Sequence, residues 1–144
     1  MSGVLLDTHA LLWLENRAAL KGEAIFAIAQ ARAANKLAVS AISAWELGVA
    51  LQKVNEERRP GLGGMQVDLW FRKAVEKLHA RVLPISTAIA LESARVPEVY
   101  GYGDPGDCFL IATARVRRLS LVTRDARIIA LSKSEPGYLK VIEC

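Results

Sequence analysis

The chain is poor in the residues that build covalent or soft-metal frameworks. Its 144 residues include two cysteines, Cys108 and Cys144, and two histidines, His9 and His79. Neither cysteine belongs to a C-x-x-C pair, and neither has a histidine near it in sequence. A disulfide scaffold and a structural zinc site are therefore not expected, and both thiols should be reduced. No apolar run approaches the roughly 20 residues of a membrane-spanning helix. No basic segment followed by an apolar stretch and a small-residue cleavage site opens the sequence, so the expected location is the cytoplasm. Internal repeats and low-complexity tracts are also missing. Charge of one sign is in short supply: 19 Lys and Arg against 15 Asp and Glu leave a formal charge of +4. That balance permits contacts to nucleic-acid phosphates without demanding them.

What is present is apolar residues, 52% of the chain, enough for one domain spanning 1–144 to bury a core without staples. Val4-Leu5-Leu6 reads as a short buried strand ending at Asp7. Ala24 to Ala34, alanine-rich with Ile25, Ile28 and Ala29 at helical spacing, predicts a helix. Leu37 to Ser40 is a second strand. Ser43-Ala44-Trp45-Glu46 has the S-x-x-E form of a capping box and should open a helix reaching Gln52. Asn55 to Gln66 is a polar connection. Asp68 is placed to cap a helix carrying Phe71, Ala74, Val75 and Leu78 on one face. Arg81 to Ile85 is a strand, Ser86 starts a helix that Pro97 closes, and Tyr100 to Gly106 is a turn-rich loop. From Asp107 to Ala114 the sequence is apolar nearly all round, which predicts a central buried helix. Leu119 to Thr123 is a strand, Ile128, Ile129 and Leu131 mark a short helix, and Leu139 to Ile142 is a last strand. Alternating strands and helices predict a three-layer α/β/α sandwich around a mostly parallel sheet of four to five strands.

Right-handed crossovers put every strand-to-helix junction at one edge of such a sheet. Four of those junctions carry an acid: Asp7, Glu46, Asp107 (with Asp104) and Asp125. Each acid alone is explained equally well as a helix cap, since Asp and Glu suit the positive end of a helix. Glu46 fits as the third residue of the Ser43 box, and Asp104 as an N-cap ahead of Pro105 at the first helical position. Together they describe a crevice of carboxylates, which repel one another unless a cation sits among them. Hard divalent ions, Mg²⁺ or Mn²⁺, take such oxygen ligands. Thr8 and Thr123 stand beside two of the acids and could orient them or bound water.

The chain resembles the PIN-domain ribonucleases and, within them, the VapC-like toxins of type II toxin-antitoxin pairs. The resemblance runs over essentially the whole length. It rests on Leu5-Leu6-Asp7-Thr8-His9-Ala10-Leu11-Leu12-Trp13, on Val39-Ser40-Ala41-Ile42-Ser43-Ala44-Trp45-Glu46-Leu47, on Asp104-Pro105-Gly106-Asp107 with Leu110 to Ala114, and on Leu121-Val122-Thr123-Arg124-Asp125. It implies a PIN-like fold and a metal-dependent endoribonuclease that cuts single-stranded RNA or an exposed loop. The implied metal-binding and catalytic set is Asp7, Glu46, Asp107 and Asp125, with Asp104 as a further candidate ligand. An antitoxin partner and a homodimer are implied as well. Cys108 stands where such toxins often carry an arginine.

Weaker candidates surround this set. His9, next to Asp7, could move a proton or touch phosphate, although a histidine at a helix start more often makes local hydrogen bonds. Trp13 and Trp45 could stack on a base or pack in the core. Leu11 to Leu14 and the Trp45 to Leu51 segment carry more apolar side chains than one buried face absorbs, so some should line an exposed groove. Two rivals compete with the nuclease reading. A phosphatase of the haloacid dehalogenase type also places an aspartate after its first strand, but needs a second aspartate where this chain has His9. A non-catalytic PIN-like module that binds RNA or protein usually lacks some of the acids.

Overall fold

The computed structural model describes residues 2–144. Five short strands, β1 (Val4–Leu6), β2 (Leu37–Ser40), β3 (Arg81–Leu83), β4 (Ser120–Thr123) and β5 (Val141–Glu143), form one sheet in the order β3-β2-β1-β4-β5. Every neighbouring pair is parallel. The helices are α1 (Thr8–Glu15), α2 (Gly22–Ala33), α3 (Ala41–Ala50), α4 (Val67–Leu78), α5 (Thr87–Arg95), α6 (Pro97–Tyr100), α7 (Pro105–Arg117) and α8 (Ala126–Ser134), with a single 3-10 turn at Glu56–Arg58. Among the described residues no helix is long and apolar enough to cross a membrane.

Strand residues alternate between two hydrophobic clusters, as the two-residue period of a strand requires. Val4, Leu6, Leu37, Val39 and Val122 face a cluster built with α1, α2, α3 and α4. Leu5, Ala38, Leu83 and Leu121 face a second cluster built with α5, α7 and α8. Both faces of the sheet are covered, which gives three α/β/α layers and explains why the central strands read as unbroken apolar runs. Helix α7 supplies seven buried residues, Gly106, Cys108, Leu110, Ile111, Ala112, Thr113 and Ala114. It is the buried helix expected from its composition.

Three local expectations are corrected. Helix α3 begins before Ser43, at Ala41, and its cap is Ser40, whose hydroxyl accepts from the Ile42 N–H at 3.0 Å. Ser43 is instead fully buried, and Glu46 lies in the second turn, beyond any capping role. The N-cap of α4 is Gln66 and makes no side-chain cap bond, so Asp68 sits inside the first turn. Strand β3 stops at Leu83 because Pro84 has no N–H to give a ladder.

The sheet register sets the level of the site. Leu6 pairs with Val39 on one side and with Val122 on the other, so Asp7, Ser40 and Thr123 follow side by side at the carboxyl edge. The Asp7 N–H completes that edge by donating to the Val122 carbonyl at 3.1 Å.

Candidate active site

A cleft of about 350 Å³ opens beyond this edge, lined by Asp7, Thr8, His9, Trp13, Glu46, Asp104, Asp107, Leu110, Arg124 and Asp125. All five acids singled out in the sequence are on its wall, together with Thr8 and His9. They come from four different junctions, so the sheet topology alone converges them.

Asp7 caps α1: its Oδ1 accepts the Ala10 N–H at 2.6 Å. With only 6% of its surface exposed, burial pushes its carboxyl above the ordinary carboxylate range, the Thr123 hydroxyl and the Ala10 N–H oppose that, and the Asp125 charge adds to it. Asp125 caps α8 through Oδ1, which accepts the Arg127 and Ile128 N–H groups at 2.9 and 3.1 Å. The Asp125 N–H in turn donates to the Thr123 hydroxyl at 3.1 Å, so Thr123 ties the two acids' junctions together.

Glu46 is held differently. The Thr8 hydroxyl donates to Glu46 Oε1 at 2.5 Å and lies 2.9 Å from the Ser43 hydroxyl. Thr8 has one proton, so if it is given to Glu46, Ser43 must donate to Thr8. The pair fastens α1 to α3. On its other side the Glu46 carboxylate rests against Gly106: a Cβ placed there would meet Glu46 Cδ at 2.6 Å. Burial raises the Glu46 pKa, and the charges of Asp104 and Asp107 add to that.

Asp104 caps α7 by accepting the Gly106 N–H at 2.8 Å, with Pro105 at the first helical position. Asp107, at the third helical position, is released from capping and receives the Tyr100 hydroxyl at Oδ2, 3.1 Å away. Burial first and the Asp125 charge second push the Asp107 carboxyl up to about 6. Tyr100 is itself steadied by Arg127, whose guanidinium lies 4.4 Å from the ring centre and donates to the Tyr100 carbonyl at 3.2 Å.

One rim is aromatic and cationic. His9 stacks on Trp13 at 5.6 Å between ring centres, and the Arg124 guanidinium lies 3.9 Å from the centre of the Trp13 ring. Arg124 is fixed there by bonds to the Cys144 and Ala19 carbonyls, both 2.9 Å. Cys108 is buried, 5% exposed, and its thiol is raised by burial and by the Asp107 and Asp104 charges. It packs in the core and does not line the cleft.

The donor set fits a hard divalent ion by its chemistry. It offers carboxylate oxygens, and the raised pKa values of Glu46 and Asp107 record, besides burial, a mutual repulsion that a cation would relieve. Among the described residues no three His, Cys, Asp or Glu side chains are gathered into a ready ligand cluster. The acids share one wall without being drawn to coordination distance. Sequence reasoning missed Ser43, Tyr100, Gly106 and the fixed position of Arg124. Only Gly106 carried a signal: a glycine inside a helix's first turn, where no turn needs one, points to a close approach.

A parallel α/β sheet that presents carboxylates from several strand ends to one cleft defines the class of protein: an α/β fold with an acidic crevice at its carboxyl edge. Residues 4–134 match the PIN domain family model, and the chain belongs to the PIN domain family. No curated protein matches it in sequence. Its fold is similar to that in a structure of DNA-bound VapBC from Salmonella typhimurium, with TM-score 0.63, 17% identity and coverage of 99% of this chain and 98% of that one. A VapBC2 structure from Rickettsia felis, bound to a promoter DNA fragment, gives TM-score 0.64 at 14% identity over 98% of each chain. A toxin-antitoxin complex from Klebsiella pneumoniae gives TM-score 0.56 at 24% identity over 97% of this chain and 96% of that one. Family membership leaves the haloacid dehalogenase alternative without support, as His9 in place of a second aspartate already suggested.

Proposed function

We propose that this PIN domain is a metal-dependent endoribonuclease, the toxin of a toxin-antitoxin pair. The observation that carries the reading is the meeting of Asp7, Glu46, Asp107 and Asp125, from four separate junctions, on one cleft wall with Asp104 beside them. Caps alone do not account for it, because Glu46 and Asp107 cap nothing and both carry raised pKa values. Such acids are functional-site candidates on physical grounds.

In this reading Asp7, Glu46, Asp107 and Asp125 would hold Mg²⁺ or Mn²⁺, with Asp104 at the margin. A divalent ion bound there supplies Lewis acidity toward the scissile phosphate and a lowered pKa for an attacking water. The protein's own part is orientation. Thr8, backed by Ser43, aims Glu46; Tyr100 aims Asp107; and Thr123 stands between Asp7 and Asp125. No Ser, Cys or His nucleophile is required. His9 is an accessory, exposed at the rim and stacked on Trp13.

The antitoxin partner is supported by the fold-level likeness to the toxin-antitoxin complex from Klebsiella pneumoniae and to a member of the VapBC family of toxin-antitoxin systems from Mycobacterium tuberculosis. A homodimer is part of the same proposal and is read by size-exclusion chromatography with light scattering. The experiment that tests the activity is incubation of purified protein with total RNA and Mg²⁺, with and without EDTA, followed by mapping of the cut ends. Cleavage that needs the metal and is lost in Asp7→Asn is the expected result. Intact RNA under all conditions would leave the non-catalytic module as the better reading.

A further inference from the structure

Beside the acidic cleft runs a second groove of about 430 Å³, lined by the apolar side chains of Leu12, Trp45, Leu47 and Val49 and by Lys53, Arg58 and Arg59. Thr8, His9, Glu46 and Asp104 line both cavities, so the groove is continuous with the cleft. It is richer in cations than the cleft, although Glu46 and Asp104 belong to both. Trp45 is 56% exposed and Val49 45%, one turn apart on α3. Three cations, Lys53, Arg58 and Arg59, share the lining with them. Arg59 is fixed by a bond from Nε to the Lys53 carbonyl at 2.7 Å and lies 3.8 Å from Glu56. Lys53 and Arg58 are exposed and, among the described residues, make no ion pair. Neither Glu56 nor Glu57 lines the groove.

Three observations bear on what such a groove accepts. Trp45 is the sequence neighbour of Glu46, yet burial in the core claims only another side of the helix, with Ser43 and Leu47 as the buried residues of α3. More than half of the Trp45 surface is left open to solvent. An exposed aromatic ring with three cations in the same lining matches a strand of alternating bases and phosphates, and the cations offer an apolar helix stripe nothing to pair with. Finally, the groove adjoins carboxylates that repel phosphate, and its three cations add to the attraction of Arg124 at the cleft's rim.

We infer that this groove carries a single strand of RNA into the acidic cleft, with an unpaired base stacked on Trp45 and the flanking phosphates held by Lys53 and Arg58. The inference rests on the ribonuclease reading of the cleft and names where its substrate lies. Arg59, pinned by the Lys53 carbonyl, keeps the turn that carries Arg58 against the groove. A duplex is not accommodated in this way, because its bases offer no free face to the indole. Cleavage is directed to unpaired regions by the groove, ahead of any choice made at the carboxylates.

The test is fluorescence anisotropy of a short labelled single-stranded oligoribonucleotide in EDTA, where cutting is suppressed, with the same strand annealed to its complement as comparison. Trp45→Ala weakens binding of the single strand by about tenfold, in line with the loss of one base–aromatic stack, and Trp45→Phe restores most of it. Lys53→Ala with Arg58→Ala flattens the slope of log affinity against log salt by about 1.4, from roughly 0.7 for each phosphate of a single strand that is no longer neutralised. Circular dichroism melting of each variant shows that the fold is kept. Unchanged affinity and salt slope, a phenylalanine no better than alanine, duplex bound as well as single strand, or no binding by the unaltered protein would each overturn the inference; the first would leave the groove to a protein partner. Metal-dependent cleavage of total RNA is scored separately. Cleavage with groove-independent binding sinks the groove and keeps the nuclease, and groove-dependent binding without cleavage does the reverse.

Discussion

Replacing Gly106 by alanine would test the architecture of the cleft without touching a carboxylate. A methyl group there would stand 2.6 Å from Glu46 Cδ and 3.1 Å from Oε1, with Oε2 closer still. Carbon atoms that touch prefer about 3.5 to 4.0 Å, so the carboxylate must retreat by about 1 Å. The flexible end of Glu46 yields more easily than the backbone of α7. Its retreat breaks the bond from the Thr8 hydroxyl, and a hydrogen bond to a charged group contributes about 1.5 to 3 kcal/mol. Relief of Glu46 burial and the better helix propensity of alanine, up to about 1 kcal/mol and less in a first turn, oppose that loss. The net change in the otherwise unaltered protein should be a destabilisation of about 1 kcal/mol. In a Glu46→Ala background the obstruction is gone, and the same Gly106→Ala change should stabilise by a few tenths to about 1 kcal/mol. Urea unfolding of the four proteins gives the coupling, expected at about 1 to 2 kcal/mol, whereas independent sites add to within about 0.5 kcal/mol. An equal effect in both backgrounds would refute the close approach of Gly106 and Glu46. Cleavage by the single variant should fall steeply, since its displaced carboxylate is in the proposed ligand set.

Three further outcomes follow from the same geometry. Asp104→Asn should cost only a few tenths of a kcal/mol and keep substantial cleavage, because asparagine caps about as well as aspartate; Asp107→Asn should cut activity by orders of magnitude without unfolding, and the reverse ranking in a cleavage assay would show that the wrong acid was chosen. The folded pKa of Asp107, up to about 6 from an ordinary 3.8, means that the folded state holds that proton more tightly than the unfolded chain does. Stability of the metal-free protein, measured against Asp107→Asn, should therefore fall as pH rises from about 4 to about 6, and parallel pH profiles for the two proteins would count against the shift. Mg²⁺ or Mn²⁺ at a hundredfold excess over its dissociation constant should stabilise the fold by about 2.7 kcal/mol, visible as a raised melting temperature that Asp7→Asn loses; no rise in the unaltered protein would speak against the metal.

The elements most legible in the sequence were those buried on all sides. Val4 to Leu6, Leu37 to Val39 and Leu110 to Ala114 have little or no solvent face, so burial itself wrote them as apolar runs. Helix starts were legible only where the cap was also the nearest polar residue. Asp104 and Ser86 were found in that way. At α3 the S-x-x-E pattern pointed to Ser43, but Ser40 at the end of β2 offered its hydroxyl first, and the helix began through Ala41 and Ile42, which carry no polar mark. That shift matters for the site, because it moves Glu46 out of the capping turn. The convergence of the acids followed from topology alone. What stayed hidden were bonds across segments, Thr8 with Ser43, Tyr100 with Asp107, and Arg124 with Ala19 and Cys144, since no local sequence pattern records which side chain will meet which partner.

Strand order has a consequence for how the molecule comes into being. β1 lies in the middle, and the chain builds β2 and β3 outward on one side before returning to lay β4 and β5 on the other. A ribosome-bound chain that has emerged only through β3 therefore owns Asp7 and Glu46 but neither Asp107 nor Asp125. Its cleft has one wall. The second arrives only when α7 covers the sheet and β4 docks beside β1, a closure between segments on the order of a hundred residues apart, which places it late in folding. On the proposed reading, a half-made copy of this protein is thus harmless to the RNA around it, including the message being read.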